Sequence, residues 1–271
     1  MDLILFYLAS VFYFVAAIQY FIHLATRRRL MGQVATWATG VGFLFHTFSL
    51  AERIGTTGRS LAGNPYEVVS TFAWAVLLLY LLFELRSRSH LGGAFVLPLA
   101  LLAMLAAAGS RKHFTAELDP ALEGIWLWAH VKLAIFGNAA FVIASAAGLM
   151  YLLQERQLKS KRLRGRTLPL PSLETLDRWS YVSLGLGFPL LTLGMLMGFI
   201  RAGSAWGGYL MADPRQIWSL ITWLIYGTLL AARISRGWRG RKAALLSVAG
   251  LAAVLLTFGG VHIFSKGLHA F

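Results

Sequence analysis

The sequence predicts an all-α fold: a polytopic membrane bundle of about eight transmembrane helices with both termini extracytoplasmic. Three observations predict it. Of the 271 residues 58% are hydrophobic and only 13% charged, about half the charge a soluble domain carries. Eight apolar segments are long enough for the ~20 residues that a helix needs to cross a hydrocarbon core. The basic residues fall mostly in the short stretches between those segments, as membrane topology requires. The same composition excludes disorder, and the net charge of +14 reads as a topology signal rather than as a nucleic-acid footprint.

The eight segments are roughly 3–25, 34–52, 66–85, 91–109, 124–153, 179–200, 216–233 and 243–264. Each must satisfy its backbone polar groups internally, which makes it a helix; the alternating short strands of a membrane barrel are absent from the pattern. The first segment is too long and too aromatic for a cleaved signal peptide and has no A-x-A site after it, so it reads as a retained helix. The connection 154–178 is the longest polar stretch. Its Lys/Arg run reads as an ordinary cytoplasmic topology signal or as an anionic-lipid contact. LPLPS breaks the helix there, and SLETLD reads as a new start. Asp213-Pro214 starts the seventh helix, Asp as N-cap and Pro in the first turn. No repeat and no long linker divides the chain, so 1–271 reads as one membrane domain.

Orientation follows from the basic residues. The connections 26–33, 86–90, 154–178 and 233–242 hold seventeen Lys and Arg, whereas 53–65, 110–123, 201–215 and the tail after 264 hold seven. The first set is therefore cytoplasmic. In a bacterium this is a multi-pass protein of the inner (cytoplasmic) membrane, with its second set of loops on the periplasmic face.

Chemistry is limited by what is missing. With no cysteine there is no disulfide, thiolate site or cysteine nucleophile. GxSxG, a phosphate-cradling loop and HExxH are absent as well. Carboxylates inside the spans are scarce, which argues against a carboxylate proton relay. Histidine and tryptophan remain. His90 and His113 fall in connections and read as solvated, and His23 reads as structural. His46 and His130 lie within spans, where a polar side chain is costly and usually has a task. His130 lies about two turns inside the outer surface, and His269 lies just beyond the eighth span on the same side. The loop 201–218 shares that face. Two imidazoles and a tryptophan-bearing loop on one face suit a flat aromatic ligand with an iron centre. His262, seven residues before His269, shares its helical face and reads as a partner or a cavity-lining residue. Two readings stay open for Trp206, Tyr209, Trp218 and Trp223: ligand contact, or an interfacial aromatic belt.

These residues resemble a known family. Trp206-Gly207, Asp213-Pro214 and Trp218, followed by SLITWLIY, are similar to the tryptophan-rich WWD domain of haem-handling cytochrome c assembly proteins of the CcsA/ResC branch, which serve system II. GNPYEVVSTFAWAV (63–76) resembles the family's N-x-Y-E segment, 126–159 the span with the first external histidine, and 237–271 the last span ending in G-L-H. The resemblance implies that His130 and His269 ligate the iron of haem b at the outer face beside the loop. It implies that His46 serves an intramembrane haem site completed by a CcsB/Ccs1 (ResB)-like membrane subunit. It further implies a subunit of a holocytochrome c synthase, acting on apocytochrome c CxxCH motifs. Trp206, Asp213, Arg215, Trp218 and His262 are the accompanying haem contacts.

The loop departs from the family's W-G-x-x-W-x-W-D-P-K-E-x-W. Leu210 and Ala212 replace two tryptophans, Arg215 replaces Lys and Gln216 replaces Glu. Each lost aromatic contact is worth about 1 kcal/mol, while Arg215 keeps a cation for a propionate. The alternative is a HemX-like regulator or scaffold of haem metabolism without synthase activity. A transporter is a third reading; it would show inverted repeats and matching broken helices, and the chain shows no repeat.

Because the chain lacks cysteine, orientation is directly testable with single substitutions. In intact cells a membrane-impermeant maleimide should label Ser204→Cys, and Ser160→Cys only after lysis. The reverse pattern would invert the assigned topology.

Overall fold

The computed structural model describes residues 1–57, 64–110, 125–160, 168–206 and 214–259. Among them run α1 (Asp2–Thr26), α2 (Arg29–Thr57), α3 (Pro65–Ser87), α4 (Gly93–Ser110), α5 (Ile125–Lys159), α6 (Leu173–Trp206), α7 (Pro214–Arg236) and α8 (Arg241–Gly259), with one 3₁₀ turn, His90–Gly92, ahead of α4. All eight helices are long and apolar enough to cross a membrane. The chain is a multi-pass membrane protein.

Local chemistry sets the helix ends. Asn64 stands in extended conformation before Pro65, and its side chain accepts the Glu67 amide, an N-cap followed by proline in the first turn. α1 and α3 each stop at an arginine in the left-handed region, Arg27 (φ 59°) and Arg88 (φ 51°), whose amides return to the His23 and Glu84 carbonyls. Ser172 Oγ accepts the Thr175 amide at 3.3 Å. The stretch SLETLD is thus the first turn of α6 itself, the new start expected from the sequence. α6 consequently begins six residues before the expected span, and α5 continues six residues beyond it. Both extensions are polar, so apolar length alone could not have found them.

Neighbouring helices pair as α1 with α2, α3 with α4, α5 with α6 and α7 with α8. α5 joins the two halves by packing also on α3 and α8. It is the central post: 78% of its most apolar stretch is buried, against 17% for α7. Glu155 near the end of α5 lies 3.8 Å from Arg241 at the start of α8. At the other end of α8, Phe258 stacks on Phe72, ring centroids 4.0 Å apart, and Phe72 lies two turns into α3. The starts of α3 and α5 and the end of α8 therefore share one rim. That rim is also pinned by charge. Arg53 Nε donates to Glu67 Oε1 at 2.9 Å, and Arg53 lies 3.6 Å from Asp2.

α5 and α6 touch through glycine. A Cβ on Gly137 would fall 2.7 Å from the Leu191 amide nitrogen and 3.0 Å from the Gly187 carbonyl. A Cβ on Gly187 would fall 2.8 Å from the Gly137 carbonyl. Inside a bilayer such close backbone approach drives association, since lipid tails offer no hydrophobic gain.

Gly137→Ala should therefore force the helices apart and lower the thermal midpoint in detergent, an overpacking cost of about 1–3 kcal/mol. Gly185→Ala, where an added Cβ meets nothing within 4 Å, should be neutral or stabilising. Equal midpoints for the two variants would show that the seam tolerates a methyl group.

Candidate functional site

His130 is held by α6. Its Nδ1 lies 2.6 Å from the Gly194 carbonyl oxygen, which can only accept, so Nδ1 carries the proton and Nε2 the lone pair. This is the arrangement by which metal-ligating histidines are usually fixed. Gly198, one turn further on α6, faces the ring: a Cβ there would fall 2.6 Å from His130 Cε1 and 3.3 Å from Nε2. On α5 the Lys132 ammonium sits 4.0 Å over the Trp128 ring, and Trp128 is 43% exposed. This pair, two residues to either side of His130, lies on the opposite face of α5 from the imidazole, which is turned towards α6.

The height of His130 follows from packing. Phe136 meets Trp74 edge-on, ring centroids 6.3 Å apart, and His130 lies six residues, about 9 Å, closer to the shared rim. Phe258 of α8 reaches the same end of the bundle. His262, His269 and Asp213 lie outside the described residues. Trp206 and Arg215 close α6 and open α7, with no side-chain placement described. Trp218 is half-buried in the first turns of α7.

Two tryptophan and histidine expectations change. Trp223 is not a belt residue: its indole N–H donates to Thr192 at 2.8 Å and its ring stacks on Phe188, binding α7 to α6. His90 is not solvated. Its side chain is 23% exposed and its Nδ1 lies 2.5 Å from Glu84 Oε1. Glu84, 2% exposed, also accepts from Tyr20 at 2.7 Å and Thr36 at 2.8 Å. A connection in sequence has become part of a buried network because the 3₁₀ turn folds back under α1 and α2. Gly32 makes room for it, since a Cβ there would lie 2.9 Å from the His90 ring. Carboxylates in the spans are few, but Glu84 is fully committed.

His46 is wholly buried, with Tyr13 Oη 3.3 Å from Nδ1 and Ser70 Oγ 3.0 Å from Nε2. Phe6 and Tyr13 pack edge-on against the ring. Both nitrogens are engaged and aromatic side chains pack beside them, so in this arrangement His46 is a clasp between helices. His130, with Nδ1 held by a backbone carbonyl near a rim, has the donor chemistry an iron ligand needs. Sequence reasoning missed its two contacts on α6, Gly194 and Gly198. Both were legible as GxxxG, the small-residue spacing of close helix contacts.

Residues 62–269 match the family model described as cytochrome C assembly protein. The chain belongs to the cytochrome c assembly protein family. It is 32% identical to the "Cytochrome c biogenesis protein CcsA" of Gloeobacter violaceus, with 95% of this chain and 92% of that one covered. It is 34% identical to the CcsA protein of Synechococcus elongatus, covering 77% and 78%. The CcsA protein of Trieres chinensis is 31% identical, covering 89% and 87%. Family membership therefore covers the span with His130, the segment 201–218 and the C-terminal stretch to His269.

Replacing Glu84 by Ala would remove the acceptor shared by Tyr20, Thr36 and His90, leaving Tyr20 and His90 only the Thr36 hydroxyl and Thr36 the Gly32 carbonyl. At about 1–3 kcal/mol per buried group left short of a partner, the variant should lose stability sharply, while Glu84→Gln should retain part of it. Differential scanning of the purified proteins checks this, and matching midpoints for Glu84→Ala and wild type would show that the network is dispensable.

Proposed function

We propose that this chain serves cytochrome c biogenesis by presenting haem b at the extracytoplasmic rim of a bacterial inner membrane, ligated by His130 and His269. The observation that carries the reading is the Nδ1–H of His130 anchored on the Gly194 carbonyl, the bond by which metal-ligating histidines are usually oriented, on a half-buried imidazole near the rim. His269 follows α8, the helix whose end reaches that rim. Arg215 in the 206–218 segment supplies a cation for a propionate. Trp206 and Trp218 supply aromatic faces, and Asp213 starts the helix that carries Trp218.

Haem is the substrate, and it brings two vinyl groups. Each cysteine thiol of an apocytochrome CxxCH segment adds across one vinyl, S–H to C=C, forming a thioether with no net change of oxidation state. The chain's residues need not move a proton in this step. They fix the porphyrin's orientation, exclude water and yield one axial position to the incoming CxxCH histidine. A CcsB/Ccs1 (ResB)-like membrane subunit completes the complex. His46 and His262 stay outside this scheme: the first is enclosed, and the second would line the same cavity as His269.

The altered loop favours a second reading, a HemX-like haem regulator, because Leu210 and Ala212 remove two aromatic surfaces. Complementation separates the two. Supplied with its partner in a host lacking its own pathway, a synthase subunit should restore covalent cytochrome c, and a regulator should not.

For the ligands, His130→Ala and His269→Ala should each reduce the haem retained on purification and weaken the sharp α and β bands of the reduced protein. Unchanged haem stoichiometry and spectra in both variants would remove the assignment.

A further inference from the structure

We propose that Gly198 is a positioning residue for the haem ligand, because its absent side chain opens the slot on α6 in which the His130 imidazole stands. The inference rests on the reading of His130 as an iron ligand and adds what sets the ring's plane.

Gly194 and Gly198 lie one turn apart on the face of α6 that meets α5, yet a methyl group would do different things at the two positions. At Gly194 it would strike backbone, 2.9 Å from the Ala134 amide nitrogen and 3.3 Å from the Ala134 Cα and the His130 carbonyl. Backbone cannot yield, so the helices would part. At Gly198 all three nearest atoms belong to one imidazole: Cε1 at 2.6 Å, Nδ1 at 2.9 Å and Nε2 at 3.3 Å. A ring at the end of a side chain can turn. The cost at Gly198 therefore falls on the orientation of His130, and the cost at Gly194 falls on the contact between α5 and α6.

Turning the ring has a chemical consequence. The Nδ1–H bond to the Gly194 carbonyl at 2.6 Å fixes the tautomer and raises the basicity of Nε2. A methyl at 198 pushes on the edge of the ring that carries Nδ1 and Cε1, so this bond must lengthen or bend. A less basic, tilted imidazole holds ferric iron less well, and the midpoint potential should rise. Loss of an outer-shell partner typically costs 10–100-fold in metal affinity.

The test uses the full chain, co-purified with its partner subunit and titrated with haem b. Gly198→Ala should bind about tenfold more weakly, with shifted α and β bands, altered ferric low-spin resonance and a higher midpoint potential. Gly185→Ala, an open position on the same helix, should match wild type in all of these. Stability gives a second and haem-independent readout. Any loss of thermal midpoint in Gly198→Ala should vanish in the His130→Ala/Gly198→Ala double variant, because the ring it strikes is gone. A loss that persists in the double variant would show that Gly198 acts on helix packing, and would overturn the proposal. So would a Gly198→Ala protein with wild-type haem affinity and spectrum beside a His130→Ala protein that loses haem; the ligand reading would then survive alone. Retention of haem and spectrum by His130→Ala would remove both.

Discussion

Direct contact between the backbones of α5 and α6 is the constraint on which the rest of this bundle depends. Lipid tails are as apolar as leucine, so helices in a bilayer are held by van der Waals fit and polar bonds rather than by expulsion of water. Gly137 and Gly187 meet carbonyl to Cα with no space for a methyl group between them. The approach makes α5 a buried post against which α3 and α8 can also lie. Towards the rim the same seam continues through Gly194, which still serves packing, to Gly198, which makes space for an imidazole.

Polar side chains act as clasps between helices elsewhere in the fold. Ser145 of α5 lies 2.9 Å from the Tyr226 hydroxyl of α7 and donates to the Ser247 carbonyl of α8 at 2.7 Å. Tyr226 also stacks on Phe141 with ring centroids 3.8 Å apart. Trp74 donates to Thr47, joining α3 to α2, as Trp223 joins α7 to α6. Glu84 gathers donors from α1, α2 and the 3₁₀ turn at one end of the bundle, and His46 clasps α1 to α3 nearer the other. Each clasp satisfies groups that would otherwise be costly in hydrocarbon. Most bundle polarity is therefore consumed by assembly. His130 differs in that its Nδ1 bond is made to a backbone carbonyl of the neighbouring helix rather than to another side chain.

The helix count was legible because a bilayer demands apolar length, and composition reports that demand directly. Helix starts were legible where side-chain chemistry marks them, at Asn64-Pro65, Ser172 and Pro214. The helix ends were not, because polar turns at the rim of a bundle look like loops to a hydropathy count. This is why the last turns of α5 were missed, and why the apolar count alone began α6 too late. Of the site, His130 was legible from its cost within a span, and its neighbours only in part. The role of His90 could not be read at all, since its partners Glu84, Tyr20 and Thr36 come from three separate helices. Trp223 misled because a tryptophan near a helix end looks the same in sequence whether it faces headgroups or a neighbouring helix.

The placement of the two intramembrane histidines bears on how one chain can both be stable and handle a large, flat substrate. His46 stands where three helices close on it, and opening a slot there would break two hydrogen bonds and displace Phe6 and Tyr13. His130 stands at the edge of the glycine seam, where removal of side chains has already created a slot and the rim lies about two turns away. On the proposed reading, a porphyrin would meet the second position at a helix seam near the rim rather than inside a core. The first half of the bundle, with its shared rim tied by Asp2, Arg53 and Glu67, then acts as the rigid abutment. The seam that lets α5 and α6 approach each other most closely is also the one that, at Gly198, leaves space on α6 for the His130 ring.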